Sequence, residues 1–420
     1  MTQSNDTWLL PRLWAAMLCV LLAATYRLWF PLGEYPAVAM FGWVNPLPIW
    51  AGWTALIGSV TGAICVIARP RSASSGWWLV ALSLTLGFLI DQHRLQPWAY
   101  QTAIYACVFA SMPPAMAKRM LIPLAASVYI YSAAGKFDYQ FVHSVGQDFL
   151  NVPLGWFGMI DSIDEDTKAM LAHGPPIVEL LAGVMLLFGK TRRLAGMIVM
   201  ALHVSLLIFL GPWGLDHSHG VLLWNVLLIV QAWFLFVSPG VDDSPDNRLL
   251  YRQLFRLPFR RDGQQSLRSR LGRGVATCLV MIALVAPASE RAGLWDHWLS
   301  WALYSPHSSR TTVEFHQSTF RKLPPAARQH FQPDDDGDGW QTLALDAWSL
   351  DWLAVPVYPQ ARYQLALAYE LATQHDIDKT AIRCKVRSTA NRVTGRREEQ
   401  LLLGLKEIDK ALNDYWLVPR

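Results

Sequence analysis

Residues 175–209, PPIVELLAGVMLLFGKTRRLAGMIVMALHVSLLIF, hold two apolar runs joined by a short basic segment, GKTRR. A helix that crosses a bilayer needs about 20 mostly apolar residues. The stretch therefore reads as two membrane spans, 174–189 and 194–213, hinged at Lys190, Arg192 and Arg193. Similar runs lie on both sides of it, at 12–31, 49–68, 76–93, 97–117, 120–137, 219–238 and 274–290. Between the third and fourth of these nine, DQHRLQPW leaves a very tight turn. The opening run continues to Phe30 with no basic residue before Arg12, so it reads as an uncleaved first span and not as a signal peptide.

Composition agrees with this reading. Of 420 residues, 53% are hydrophobic and 16% charged, where soluble domains carry about 25% charged residues. The chain has 20 tryptophans, a residue favoured at membrane interfaces. The apolar runs end near residue 290, and 291–420 has the character of a water-soluble segment. The expected fold is mostly α: a polytopic transmembrane helical bundle of about nine spans over 1–290, followed by a small α/β domain over 291–420.

Charge in the loops sets the orientation. Arg69 and Arg71 follow span two, Lys118 and Arg119 follow span four, and Lys190, Arg192 and Arg193 follow span six. An arginine-rich segment from Arg248 to Arg273 follows span eight. The opposite short loops hold only Arg94 and Lys168. Basic loops stay in the cytoplasm, so the N-terminus is expected inside and the C-terminal domain outside an inner (plasma) membrane. Topology and contact with anionic lipid account for the arginine run, and no nucleic-acid motif accompanies it. Of the five cysteines, Cys19, Cys65, Cys107 and Cys278 lie in apolar runs and Cys384 is alone in the tail. Without a C-x-x-C pair, dithiol redox chemistry is not expected of this chain.

On that topology the polar residues of the spans gather in the outer half. Asp91, His93 and Arg94 occupy the turn between spans three and four. Lys136 ends span five, and Glu179 lies a turn inside span six. His203 is near the middle of span seven and Asn225 lies in the outer part of span eight. Charges within a membrane are costly, at least ~2.5 kcal/mol at its centre, and are normally paired or face a wet cavity. Glu179 wants a cation, which Lys136 or Arg27 could supply. Tyr129, Ser132 and Lys136 share one helix face. If that face looks inward, Lys136 is a candidate base; if it looks at lipid, it snorkels. His217 and His219 in DHSH have a spacing that metal sites use, and Asp216, His93 and His173 would have to complete the set. The alternative is a polar outer loop.

YSAAGKFD (131–138), followed by the 175–209 stretch, resembles the DoxX and MauE-like membrane families. The wider group includes the HTTM domain, related to vitamin K-dependent gamma-carboxylase. In these families a small-Gly-Lys motif ends one helix, and a Pro/Glu-containing helix then leads through a basic loop to another. DQHRLQPWAYQ is similar to a further element of such proteins, and the resemblance covers roughly 90–238. It implies that Lys136 is the family lysine and Glu179 the helix carboxylate. It further implies quinone-associated oxidation or maturation of periplasmic enzymes, or carboxylation in the HTTM branch. The chain departs from the carboxylase in the small size of its soluble part, and from DoxX proteins in having more than four spans.

In the tail, RTTVEFH and AIRCKVRS alternate as half-buried strands do, and TGRR at 394–397 supplies a hairpin-like turn before EEQLLLG. Residues 359–374 read as a helix. The Trp-rich WDHWLSWALYSP reads as an amphipathic link at the outer interface. DDDGDGW begins like a calcium loop, with Asp334, Asp336 and Asp338 at positions one, three and five, but Leu345 stands where the closing Glu belongs. The competing reading is a solvated acidic turn.

Three functions are compatible with these residues. The first is support of a redox or periplasmic maturation process through a quinone or other lipid-soluble partner in an outward-facing polar pocket. The second is a carboxylase-type enzyme with Lys136 as base. The third is a non-catalytic membrane scaffold that binds a periplasmic protein.

Overall fold

The computed structural model describes residues 9–30, 33–45, 47–69, 73–238, 267–334, 337–415 and 417–418. The chain is mostly helical, with a small antiparallel sheet. The principal helices are α1 (Leu9–Ala24), α2 (Trp50–Ala68), α3 (Ala73–Ile90), α4 (Pro97–Ser111), α5 (Pro114–Lys136), α6 (Val145–Trp156), α7 (Gly174–Leu186), α8 (Gly189–Leu210), α9 (His219–Ala232) and α10 (Leu267–Val285). Three more, α11 (Leu345–Leu353), α12 (Ala361–Gln374) and α13 (Gly404–Leu412), accompany the sheet.

Among the described residues, six helices are long and apolar enough to cross a membrane: Trp50–Ala68, Ala73–Ile90, Glu165–Leu186, Gly189–Leu210, His219–Val237 and Ser269–Ala292. A seventh is reached if Pro114–Lys136 and Tyr139–Trp156, bent by 78°, make one broken span. This fits a membrane protein, but nine spans are not confirmed. Part of the difference arises at proline. The apolar run expected as one span over 97–117 stops at Ser111, and Pro113 is extended (φ −63°, ψ 153°). Proline lacks the amide proton that would continue the ladder and disfavours helix in the residue before it. Pro114 then opens α5, a position that suits its fixed φ. That leaves α4 at 15 residues and starts α5 earlier than the expected 120. Most of the arginine-rich segment 248–273 lies outside the described residues.

The chain forms two compact units, neither continuous in sequence. The first comprises 1–21, 57–83 and 97–306. Its centre is a helical group in which α5 packs on α7, α7 on α8, and α8 on α9. Glycine sets the closest approach: a Cβ on Gly183 of α7 would stand 3.0 Å from the Cβ of Tyr129 and 3.0 Å from Cγ1 of Ile130 on α5. WDHWLSWALYSP is not a continuous helix. It makes one 3-10 turn at Trp298–Ser300, then turns through left-handed Trp301 (φ 58°) and Tyr304 (φ 57°), with Trp301 fully buried.

The second unit joins 307–420 to two upstream segments, 22–56 and 84–96. Its sheet runs β2 (Trp340–Leu343), β1 (Arg310–His316), β3 (Ile382–Arg387), β4 (Glu399–Leu403), all antiparallel. Both strands read from alternation are present, and the turn containing 394–397 joins β3 to β4. Register sets Val313 opposite both Leu343 and Cys384, and Phe315 opposite Ile382. These side chains are fully or almost fully buried, and α12 packs on the sheet. Gln364 of α12 accepts the Thr311 amide at 2.7 Å. The turn 92–94 is held in this unit by Gln92, which donates to the carbonyls of Ala39 at 2.9 Å and Leu417 at 3.3 Å and accepts from Arg362.

Candidate functional site

Lys136 sits in the last turn of α5 and is 8% exposed. Its Nζ donates to Oε2 of Glu179 at 2.6 Å and to Oγ of Ser132 at 2.8 Å. The lysine and the carboxylate therefore meet, and Lys136, not Arg27, is the cation that Glu179 takes. Three features of the sequence bring them together. Ser132 and Lys136 are four residues apart on one face of α5. The cation stands at a helix C-terminus, where the macrodipole favours it. Gly183, one turn along α7 from Glu179, lets the two helices close.

One turn back along the same face of α5, Tyr129 is 3% exposed and its hydroxyl lies 3.0 Å from Nε2 of His203 on α8. Nδ1 of His203 is 2.8 Å from Oδ1 of Asn225 on α9, whose amide nitrogen donates to the Val221 carbonyl at 2.9 Å. These contacts assign the tautomer. Asn225 presents oxygen, so His203 Nδ1 carries the proton, and Nε2 accepts from the Tyr129 hydroxyl. Four helices thus contribute to one buried polar layer.

Tyr304 completes it from the loop. It lies near Asn225 and within the field of Glu179; burial first, then that carboxylate, pushes its phenol above the ordinary value. Its left-handed backbone is unusual for a non-glycine residue, and it is reached by a close approach of the loop to α5: a Cβ on Gly135 would fall 2.7 Å from Oγ of Ser305. A second polar group lies within the bundle. Trp224 donates to Gln101 at 2.9 Å, and Tyr105 and Gln101 donate to Oε1 of Gln231 at 2.8 and 3.2 Å. Gln231 is fully buried and its Nε2 has no partner among the described residues. Tyr304, Gln101 and Tyr105 escaped sequence reading. The only local signals were the four-residue spacing of Gln101 and Tyr105 and the seven-residue spacing of Trp224 and Gln231.

Other polar residues near these spans fall elsewhere. Asp138 caps the amide of Phe141 at 2.8 Å and pairs with Arg291 at 3.2 Å. His217 accepts from the Ser218 amide at 2.8 Å, and burial pulls its imidazole below the ordinary value. His219 is exposed at the start of α9. Among the described residues, neither histidine of DHSH joins a cluster of three metal-ligating groups. Asp91, His93 and Arg94 form a group of their own in the second unit. Asp91 accepts the His93 amide at 3.0 Å, and Arg94 donates to the carbonyls of Leu28 at 3.1 Å and Trp29 at 3.3 Å. His93 Nε2 donates to the Pro356 carbonyl at 2.9 Å.

Of the calcium candidates, Asp336 lies outside the described residues. Asp334 accepts the amides of Gly337 at 2.8 Å and Gly339 at 2.9 Å. Asp338 is paired with the Arg383 guanidinium at 3.0 Å.

No protein-family model, curated protein or solved structure matches the chain.

Proposed function

We propose that this is a multi-pass protein of the inner (plasma) membrane that binds a quinone, or a similar lipid-soluble carbonyl compound, in the first unit, in support of a redox or periplasmic maturation process. The observation that carries the reading is the partly buried Lys136–Glu179 pair beside the Tyr129–His203–Asn225 chain. Buried charge costs free energy that an apolar contact would not, and such groups inside a membrane mark functional sites by default. A carbonyl oxygen accepts hydrogen bonds and offers none. The bundle supplies donors of the matching kind in Lys136, the Tyr304 hydroxyl and the unpartnered Gln231 amide. The resemblance of YSAAGKFD to the DoxX and MauE-like motif supports the same reading. In the proposed topology the N-terminus is cytoplasmic and 291–420 is outside. A reporter fused after residue 420 is then active only outside the cytoplasm, and one fused near residue 260 only inside.

Solvent extraction of the purified full chain, followed by mass spectrometry, tests the binding. The expected result is an isoprenoid quinone in near-stoichiometric amount, reduced in Gln231→Leu and in Lys136→Met. Extracts without quinone, together with no binding of an added short-chain quinone, refute the reading.

The carboxylase reading is less favoured. It requires the lone pair of Lys136, and an ion pair with Glu179 occupies that nitrogen with a proton. The scaffold reading has one observation in its favour: Tyr129, His203 and Asn225 satisfy one another, as a purely structural clasp would. Function retained after His203→Phe in a stably folded chain would select it.

A further inference from the structure

The second unit contains a cavity of about 510 Å³ that the Lys136 site does not involve. That volume is within the usual range for small-molecule sites, ~300–1,000 Å³. Its walls come from all three sequence segments of the unit, including Phe30, Leu47, Ile49, Ile90 and Trp352 on the apolar side. Arg27, Asp91, Arg94 and Glu370 bring charge to it.

Arg94 is the group that needs explaining. It is 3% exposed. Nε and Nη2 donate to the carbonyls of Leu28 and Trp29, but the buried Nη1 has no partner among the described residues. Its counter-ion is weakly placed. Asp91 Oδ2 stands 4.0 Å from Nε, while Oδ1 accepts the amides of His93 at 3.0 Å and Val38 at 3.4 Å. A buried guanidinium donor without an acceptor is costly and rare in folded proteins. Arg27 adds a second positive charge on the wall, its guanidinium carbon 5.2 Å from the ring centre of Trp352. Asp91 and Glu370 are the opposing charges, and burial pushes the Glu370 carboxyl above its ordinary value.

The location supplies the other half of the ligand. The cavity is lined at the ends of two apolar helices, by Ile49 just before α2, Gly52 in its first turn and Ile90 at the end of α3. Trp43, Ile49 and Trp50 are 66%, 66% and 63% exposed there, and tryptophan is enriched at the headgroup level of membranes.

We propose that this cavity binds a single-chain amphiphile with an anionic head, a carboxylate or a phosphate, its head on Nη1 of Arg94 and its chain along Phe30, Leu47, Ile49 and Ile90. Two parallel N–H donors would then face the head only if Arg94 turned, so one charge-assisted bond from Nη1 is the expected contact.

The test uses the full chain in a neutral detergent and four probes: dodecanoate, dodecyl phosphate, dodecanol and inorganic phosphate. Either anionic amphiphile should raise the melting temperature saturably, while dodecanol and inorganic phosphate should not. Arg94→Gln should weaken binding of the anionic amphiphiles by at least about tenfold. Because Arg94 also holds two carbonyls, that variant can fail to fold. Ala37→Trp leaves Arg94 in place, puts an indole at an exposed wall residue and should give the same loss. Equal stabilisation by dodecanol would overturn the assignment of the head to Arg94. Equal stabilisation by inorganic phosphate would show a free-anion site and overturn the amphiphile. Unchanged binding in Ala37→Trp would place the ligand elsewhere.

Discussion

Cutting the Lys136–Glu179 pair from each side should cost unequal amounts, and the inequality follows from the geometry. Lys136→Met removes the ammonium and leaves a carboxylate whose side chain is 17% exposed. Stranding a buried charge costs ~3–5 kcal/mol; partial access to water puts this variant near the lower end. Glu179→Gln leaves Lys136 with its Ser132 bond at 2.8 Å and an amide oxygen in place of the carboxylate. The loss is then that of a charge-assisted bond weakened to a neutral acceptor, ~1–3 kcal/mol. The double variant strands neither charge, so it should be more stable than the sum of the single losses by at least ~1 kcal/mol. Thermal denaturation of the four proteins in one detergent measures the cycle, and quinone content measured on the same samples separates structure from function. Losses that add to within ~0.5 kcal/mol refute the coupling. Coupled stability with unchanged quinone content would make the pair a structural staple.

Three further outcomes are expected. Burial lowers the His93 imidazole, whose Nδ1 has no acceptor for a second proton among the described residues. The unfolded chain therefore binds more protons below the ordinary value of 6.5, so this contribution to stability is full above that pH and is lost as pH falls through the depressed folded value; a pH series of melting temperatures should show a shallower acid limb in His93→Gln. Gly183→Val should loosen the α5–α7 contact, because its Cβ would meet Tyr129 and Ile130 at 3.0 Å. A loss of ~1–3 kcal/mol is expected, and an unchanged melting temperature would show that the close approach is not needed. Millimolar calcium should leave the melting temperature of the full chain unchanged, since the Arg383 guanidinium already occupies the Asp338 carboxylate; a calcium-dependent rise would show that the cation displaces it.

What the sequence by itself determined is local in origin. The apolar runs of 175–209 are long and end at GKTRR, so α7 and α8 and the break between them could be read directly. Alternation in RTTVEFH and AIRCKVRS found β1 and β3 because a strand buried on one face repeats every two residues. The meeting of Lys136 with Glu179 was open to inference because a lone carboxylate in an apolar run demands a cation, although Arg27 competed with Lys136 for that place. Hydropathy alone gave nine spans, which are not confirmed, because it is insensitive to the backbone: 97–117 is mostly apolar, and the extended geometry at Pro113 divides it. Tertiary structure alone decided that His203 and Asn225 face Tyr129, and that a tyrosine from a left-handed turn reaches the same layer. It also placed 22–56 and 84–96 with the C-terminal sheet. Spacing along the chain fixes which residues share a face. Which faces meet is set by packing between distant segments, here by the close approaches at Gly183 and Gly135 and by the bonds from Gln92 to Ala39 and Leu417.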